Sequence, residues 1–501
     1  MNLIPVATAH QSFGRRPGQI RWATLSLIAA SVISIPVVMV LSFVFVPATD
    51  VWHHLVETVL GRYIANTATL VVGVGLGTFV IGVATAWLVT MCRFPGQKTF
   101  EWALFLPMAV PAYVLAYTYT GMLDYTGPMQ SLLRDAFDWS RTDYWFPDVR
   151  TIGGAAIMLV LVLYPYVYLL ARAAFLEQSV CVIEVSRTLG CSPWHSFRRV
   201  ALPLARPALA TGVALAVMET LGDFGTVQYF AVDTFTTGIF RTWFGLGDPA
   251  AAAQLAAILL IFVFIALFIE RRSRGAAGFH HTSTRYRPLK PFHLTGRRAA
   301  LAWTACAIPV FFGFLLPGGQ LSIWAVDTAA ETLNWEFLEL TMNTIMVAGL
   351  AAALAVLVAL SLGYGLRLGA TPIVRAATLI ASMGYAVPGS VVAVGVLLPF
   401  AWIDNIIDGW MRENLGVSTG LLLSGTLAAL IFAYLVRFLA VSFNTVEASL
   451  ANVTPNMDRA ARSLGKTPFQ TVLRVHVPIM WGSLLTAGML VFVDVMKELP
   501  A

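Results

Sequence analysis

The chain has 501 residues, of which 58% are hydrophobic and 12% charged, and its mean hydropathy is +0.76. That much apolar surface excludes a soluble globular protein. Runs of about 20 uncharged apolar residues, long enough to cross the roughly 30 Å hydrocarbon core as helices, recur throughout. The net charge of +6 follows from how basic residues are shared among the loops and points to no nucleic acid.

In chain order, Arg15, Arg16 and Arg21 precede an apolar run too long for a secretory leader, so 22–48 is read as a first anchor. Further spans are predicted over 66–92, 101–122, 152–174, 204–224, 249–269, 299–317, 342–366, 376–400, 419–441 and 479–499, eleven in all. Each satisfies its own backbone, and the alternation of a β-barrel is absent. With the N-terminus in the cytoplasm, all but seven of the 32 Lys and Arg fall on the inner side. The external stretch 318–341 then has acids (Asp327, Glu331, Glu336, Glu339) and no base. Cys92, Cys181, Cys191 and Cys306 show no metal-ligand spacing and are read as structural.

Two units repeat. Residues 1–269 form a first half of six spans with a cytoplasmic loop at 176–203. Residues 299–501 form a second half of five spans with a loop at 445–478. The polar stretch 270–298, with eight basic residues and one acid, is a cytoplasmic linker, and its His280-His281 pair lacks the company a metal needs. Asn66-Thr67 and Ala109-Val110-Pro111 recur as Asn343-Thr344 and Ala386-Val387-Pro388. Residues 184–211 align without a gap on 459–486, with nine of 28 positions identical.

The second loop contains Gly465-Lys466-Thr467, the tail of a nucleotide-binding glycine loop. However, Ala460 stands where that loop needs its first glycine, and Cys191 replaces the lysine in the first copy. Both copies instead keep a helix, a glycine (Gly190, Gly465), a capping hydroxyl (Ser192, Thr467), a proline (Pro193, Pro468), one aromatic (Trp194, Phe469) and a second helix. Glycine can end a helix in the left-handed conformation, and Ser or Thr followed by Pro starts the next. A short helix with a projecting aromatic either docks into a partner's groove or lies in the bilayer interface. Its duplication favours docking on two copies of one partner.

At these residues the chain resembles the permease subunits of bacterial ABC importers of the binding-protein-dependent, fused two-half type. Their "EAA" loop reads Glu-Ala-Ala, three residues, Gly, nine residues, Ile, any residue, Leu-Pro. Glu184-Val185-Ser186, Gly190 and Val200-Ala201-Leu202-Pro203 match that spacing, as do Arg459-Ala460-Ala461, Gly465 and Val475-His476-Val477-Pro478. The initial Glu is lost in the second copy and both alanines in the first. Residues 218–248 and the terminal VDVMKELPA look like ferric-iron importer permeases.

The resemblance implies an all-α polytopic membrane protein with the type I importer architecture, its halves parallel about a pseudo-two-fold axis. It also implies two cytoplasmic ATP-binding cassette subunits, which use ATP and Mg, while this chain binds no cofactor and has no catalytic site. A periplasmic binding protein would deliver ferric iron to the chain in the bacterial inner membrane. The family continues past Glu498-Leu499-Pro500 into a twelfth span, so the chain is expected to stop short of it. Thiamine and phosphonate importers also use fused permeases and remain alternative cargoes, and a secondary transporter remains the alternative class.

Glu219 and Asp223 align with Asp494 and Glu498 near the outer ends of matching spans. Intramembrane acids are costly, so they either line a translocation path, snorkel to the outer interface, or pair with Arg241 or Lys497. Gly73, Gly75 and Gly77 are read as helix packing, and Pro107, Pro111 and Pro388 as bends.

Overall fold

The computed structural model describes residues 17–47, 49–177, 193–274, 291–369 and 371–499. Among these residues, ten helices are long and apolar enough to cross a membrane. The pair Gln97–Ala109 and Ala112–Phe137, bent by 88°, makes eleven if counted as one span. The only strands among the described residues are Cys92–Arg93 and Phe292–His293, which pair in parallel.

The repeat extends to element boundaries. Ile152–Glu177 and Leu427–Asn452 begin and end 275 residues apart, as do Pro193–Ser196 and Pro468–Thr471, and Leu202–Gly222 and Val477–Lys497. Each copy carries a π-helical turn in the same place, Phe197–Ala201 and Val472–His476. Such widened turns are uncommon and cluster at functional sites.

Four expectations need correction. The span placed at 101–122 is broken: Gln97–Ala103 leads into the turn Leu106–Ala109, Val110 and Pro111 are extended (ψ 123° and 137°), and Ala112–Leu123 follows. The span placed at 376–400 breaks identically, with Val387 and Pro388 extended (ψ 124° and 142°) between Gly384–Ala386 and Gly389–Leu415. Proline lacks an N–H and pushes the residue before it out of the helical region, so each Val-Pro interrupts the helix rather than bending it. The tenth span is Leu427–Asn452 rather than 419–441. The N–H groups of Leu422, Leu423 and Ser424, in the loop before it, donate to the Asp404 carboxylate at 3.2, 2.9 and 2.8 Å. The stretch 318–341 is also mostly helix: Leu316–Thr332 is followed by Trp335–Leu368, which Asn334 caps through the Phe337 N–H.

The described residues form two compact units, one within 1–52, 239–260 and 332–501, the other within 53–238 and 261–331. In the first, Pro17–Ser42 packs on Trp335–Leu368, Pro372–Ala381 and Gly389–Leu415. Gly395 leaves no room for a Cβ beside the Pro36 backbone, so the helices meet closely there. Ala348, Ala351, Ala352 and Ala355 form a small-residue face against which Tyr434, Phe438, Val491 and Val495 close. In the second unit, Leu60–Met91, Ile152–Glu177 and Leu202–Gly222 pack together, and Gly296–Val310 lies on Leu60–Met91. Gly77 abuts Val160, and Gly75 faces Val213 and Val217, which is the packing role read from their spacing. The opening helix of each repeat therefore packs within the unit built mainly from the other repeat. Cys92 and Cys306 are buried and form no disulfide, while Cys181 and Cys191 lie outside the described residues.

Candidate coupling loops and path carboxylates

The second loop is described in full. Thr454 and Pro455 start the helix Pro455–Ser463, and Gly465 ends it at φ +71°. There the Gly465 N–H donates to the Arg462 carbonyl and the Lys466 N–H to the Ala461 carbonyl, both at 3.0 Å. This paired closure leaves the glycine in the left-handed conformation. Thr467 then caps Pro468–Thr471: its Oγ1 accepts from the Gln470 N–H (3.3 Å) and its own N–H donates to Gln470 Oε1 (3.2 Å). Phe469 projects from this short helix with 61% of its surface exposed. Arg459 and Ala460 face outward, Ala461 is buried, and Pro478 lies exposed at the start of the last span.

Of the first loop, Glu184, Gly190 and Ser192 lie outside the described residues. Pro193 opens the helix Pro193–Ser196, Trp194 is 64% exposed, and Pro203 is exposed at the start of the next span. Trp194 stacks on Phe197 at 5.4 Å, and Phe197 rests on Trp87 at 4.8 Å. Phe175 meets Trp87 edge-on. The described end of this loop is anchored by aromatic rings.

The second loop is anchored by charge. Asp458, one residue before the matched motif, is buried. Its Oδ2 accepts from Arg367 Nε at 2.8 Å and its Oδ1 meets His476 Nε2 at 2.8 Å. Arg367 also donates to the carbonyls of Leu450 and Val453 at 2.6 and 2.7 Å, which places a cation at the C-terminal end of Leu427–Asn452. His476 is fully buried and meets Tyr364 edge-on at 5.2 Å, and Tyr364 in turn meets Trp22 at 5.1 Å. Reading each loop for its motif missed all three polar anchors. The repeat held the signal, because Ile183 and Ala201 stand where Asp458 and His476 do.

The candidate path acids divide between the units, Glu219 and Asp223 in one and Asp494 and Glu498 in the other. Glu219 and Asp494 are half-buried in the last turns of their helices. Asp223 and Glu498 follow those helices on extended backbone, at ψ 126° and 127°. Asp223 accepts from Thr226 Oγ1 (2.9 Å) and the Val227 N–H (3.1 Å). Glu498 accepts from Arg437 at 2.7 Å in a nearly buried pair, so Arg437 is a partner that the sequence reading did not propose. An open depression of about 490 Å³, lined by Asn444, Thr445, Ala448, Ser449, Asn452 and Ser483, was also missed. Its signal is polar side chains recurring on one face of an otherwise apolar helix.

Residues 78–274, which contain the first loop and Asp223, match the family described as "Binding-protein-dependent transport system inner membrane component". The sulfate transport system permease protein CysT of Escherichia coli is 31% identical over 40% of this chain and 73% of its own length. The chain belongs to the ABC importer permeases. Similarity spans nearly the whole molecule in the Fe(3+)-transport system permease protein FbpB 2 of Haemophilus influenzae, 26% identical over 96% of this chain and 88% of that one. The molybdenum transport system permease protein ModB of E. coli is 28% identical over 39% of this chain and 87% of its own. As a family of transporter membrane components, these proteins work with a substrate-binding protein, and this chain is a helical inner-membrane member of it.

Proposed function

We propose that the chain is the translocating subunit of an ATP-driven importer of ferric iron, with its N-terminus and both loops in the cytoplasm. One observation carries the cargo. Relatives matched along nearly the full chain bear ferric-transport names, whereas the sulfate and molybdenum relatives match about two fifths of it. Two ATP-binding subunits, which use the ATP and Mg, dock on the helices bearing Trp194 and Phe469, and this chain binds no cofactor itself. The exposure of both aromatics supports docking. A periplasmic binding protein delivers the ion to the outer ends of the spans that carry Glu219, Asp223, Asp494 and Glu498, and in this reading the ion then passes the open depression lined by Asn444, Thr445, Ser449 and Asn452. Hydroxyls and amides there attract a hydrated ion without trapping it, as conduction requires.

The test is uptake of radiolabelled ferric iron, sulfate and thiamine in a strain lacking this gene and carrying either the native chain or Trp194→Ala/Phe469→Ala. The native chain should restore iron uptake alone. The double variant should reach the membrane at native levels, lose its ATP-binding subunits on purification and fail to transport. Recovery of sulfate or thiamine uptake instead would leave the class standing and overturn the cargo.

A further inference from the structure

The polar anchor of the second loop has a mechanical consequence. Asp458 lies on the loop helix Pro455–Ser463, Arg367 at the end of Trp335–Leu368, and His476 in the turn that leads into Val477–Lys497. Through Arg367 the same carboxylate reaches the closing carbonyls of Leu427–Asn452. Three spanning helices and the loop thus meet at one side chain, with Asp458 at 5% exposure and His476 at 0%. These four contacts are 2.6–2.8 Å long, and charge-assisted bonds this short between buried groups are stiff and directional.

The first repeat carries Ile183, Ala201 and Thr90 at the positions matching Asp458, His476 and Arg367, so the same three side chains do not recur there. Its aromatic rings resist separation, but they can slide against one another, because dispersion contacts set no fixed direction.

We propose that Asp458 is a positioning residue, the clamp that makes the second loop move as one body with its spanning helices, so that this loop transmits the closing of the ATP-binding subunits more stiffly than the first. The idea rests on the docking role proposed above. It adds that the two loops are mechanically unequal, with the stiffer stroke in the second half. Asp458 acts through the loop and touches neither cargo nor nucleotide.

The experiment measures ions transported per ATP hydrolysed, using the chain reconstituted with its ATP-binding subunits and binding protein. Asp458→Asn should lower that ratio about ten-fold, in the range of ordinary coupling free energies. Copurification of the ATP-binding subunits should persist, and Asp458→Glu should recover part of the ratio. Phe197→Ala in the first loop should lower it less. A purely structural role would lower transport and hydrolysis together, in proportion to the amount of assembled complex. That result, or an unchanged ratio, would overturn the clamp. If Asp458→Asn does not accumulate in membranes, His476→Gln decides the matter by the same ratio. Failure of the docking reading would look different: Trp194→Ala/Phe469→Ala would keep its ATP-binding subunits, and the clamp would fall with it.

Discussion

Asp223 and Glu498 occupy one position in two copies of the same design, yet different chemistry holds them. Both follow a 21-residue helix, and both leave it on the same extended backbone. Asp223 is satisfied locally, capping the next short helix, Gly225–Tyr229, through Thr226 and the Val227 N–H. Glu498 depends on Arg437, 61 residues away on a neighbouring helix, and Val162 stands at the matching place in the first half. The backbone of the repeat thus dictates where a carboxylate goes, and the side chains around it decide whether it is a helix cap or half of a buried ion pair. The two arrangements differ in energetics. A local cap loses little when weakened, whereas a buried pair exposes the cost of an unpaired charge when one partner goes.

The largest expected effect follows directly. Arg437→Ala removes the cation 2.7 Å from the nearly buried Glu498 carboxylate and should destabilise the protein by about 3–5 kcal/mol, read as thermal unfolding in detergent. Replacing both partners, as Arg437→Met/Glu498→Met, should restore most of that stability, because the desolvation of two charges disappears with them. If the single and double variants are equally unstable, the pair is not what holds this corner. Asp223→Asn is the matched change in the other half. Its one carbonyl oxygen still accepts from the Val227 N–H, and the amide nitrogen that replaces the second oxygen donates to the Thr226 hydroxyl instead of accepting from it, so the loss should be about 1 kcal/mol. Equal losses at the two positions would erase the contrast.

The same contrast explains what was legible in the sequence. Hydropathy located the membrane segments, since a lipid-facing helix advertises itself residue by residue. It misplaced the tenth, because the apolar Leu421-Leu422-Leu423 lies in a loop that a distant carboxylate, Asp404, holds together. Ala-Val-Pro was visible in both halves, but composition alone does not say whether proline bends a helix or ends it. Preceding Val110 and Val387 adopt extended backbone, and that decides for a break. The helix end, cap and projecting aromatic of the second loop could be read because their chemistry is local, within a dozen residues. Arg367, Asp458 and His476 lie 91 and 18 residues apart, and only folding brings them together. Positions where two aligned copies disagree, such as Ile183 against Asp458, are where such contacts were to be sought.

Lys466 supplies the smallest and most discriminating expectation. In isolation, Gly465-Lys466-Thr467 invites a phosphate, and a lysine in such a loop would contact it directly. The folded loop assigns those atoms elsewhere. The Lys466 N–H closes the preceding helix on the Ala461 carbonyl, and the Thr467 hydroxyl caps the following one. Both are helix-end tasks that use backbone or hydroxyl groups and leave the lysine ammonium without a part. The first copy has Cys191 at the matching position. Lys466→Ala should therefore change stability by no more than about 0.5 kcal/mol, as surface substitutions away from special features do, and leave iron uptake at the native rate. Thr467→Ala, by contrast, removes the cap and should cost about 1 kcal/mol. The order of the two effects is what matters. A nucleotide site would make the lysine the sensitive position, with photolabelling of the chain by an azido-ATP lost in Lys466→Ala, whereas a helix-turn-helix docking element makes it the hydroxyl.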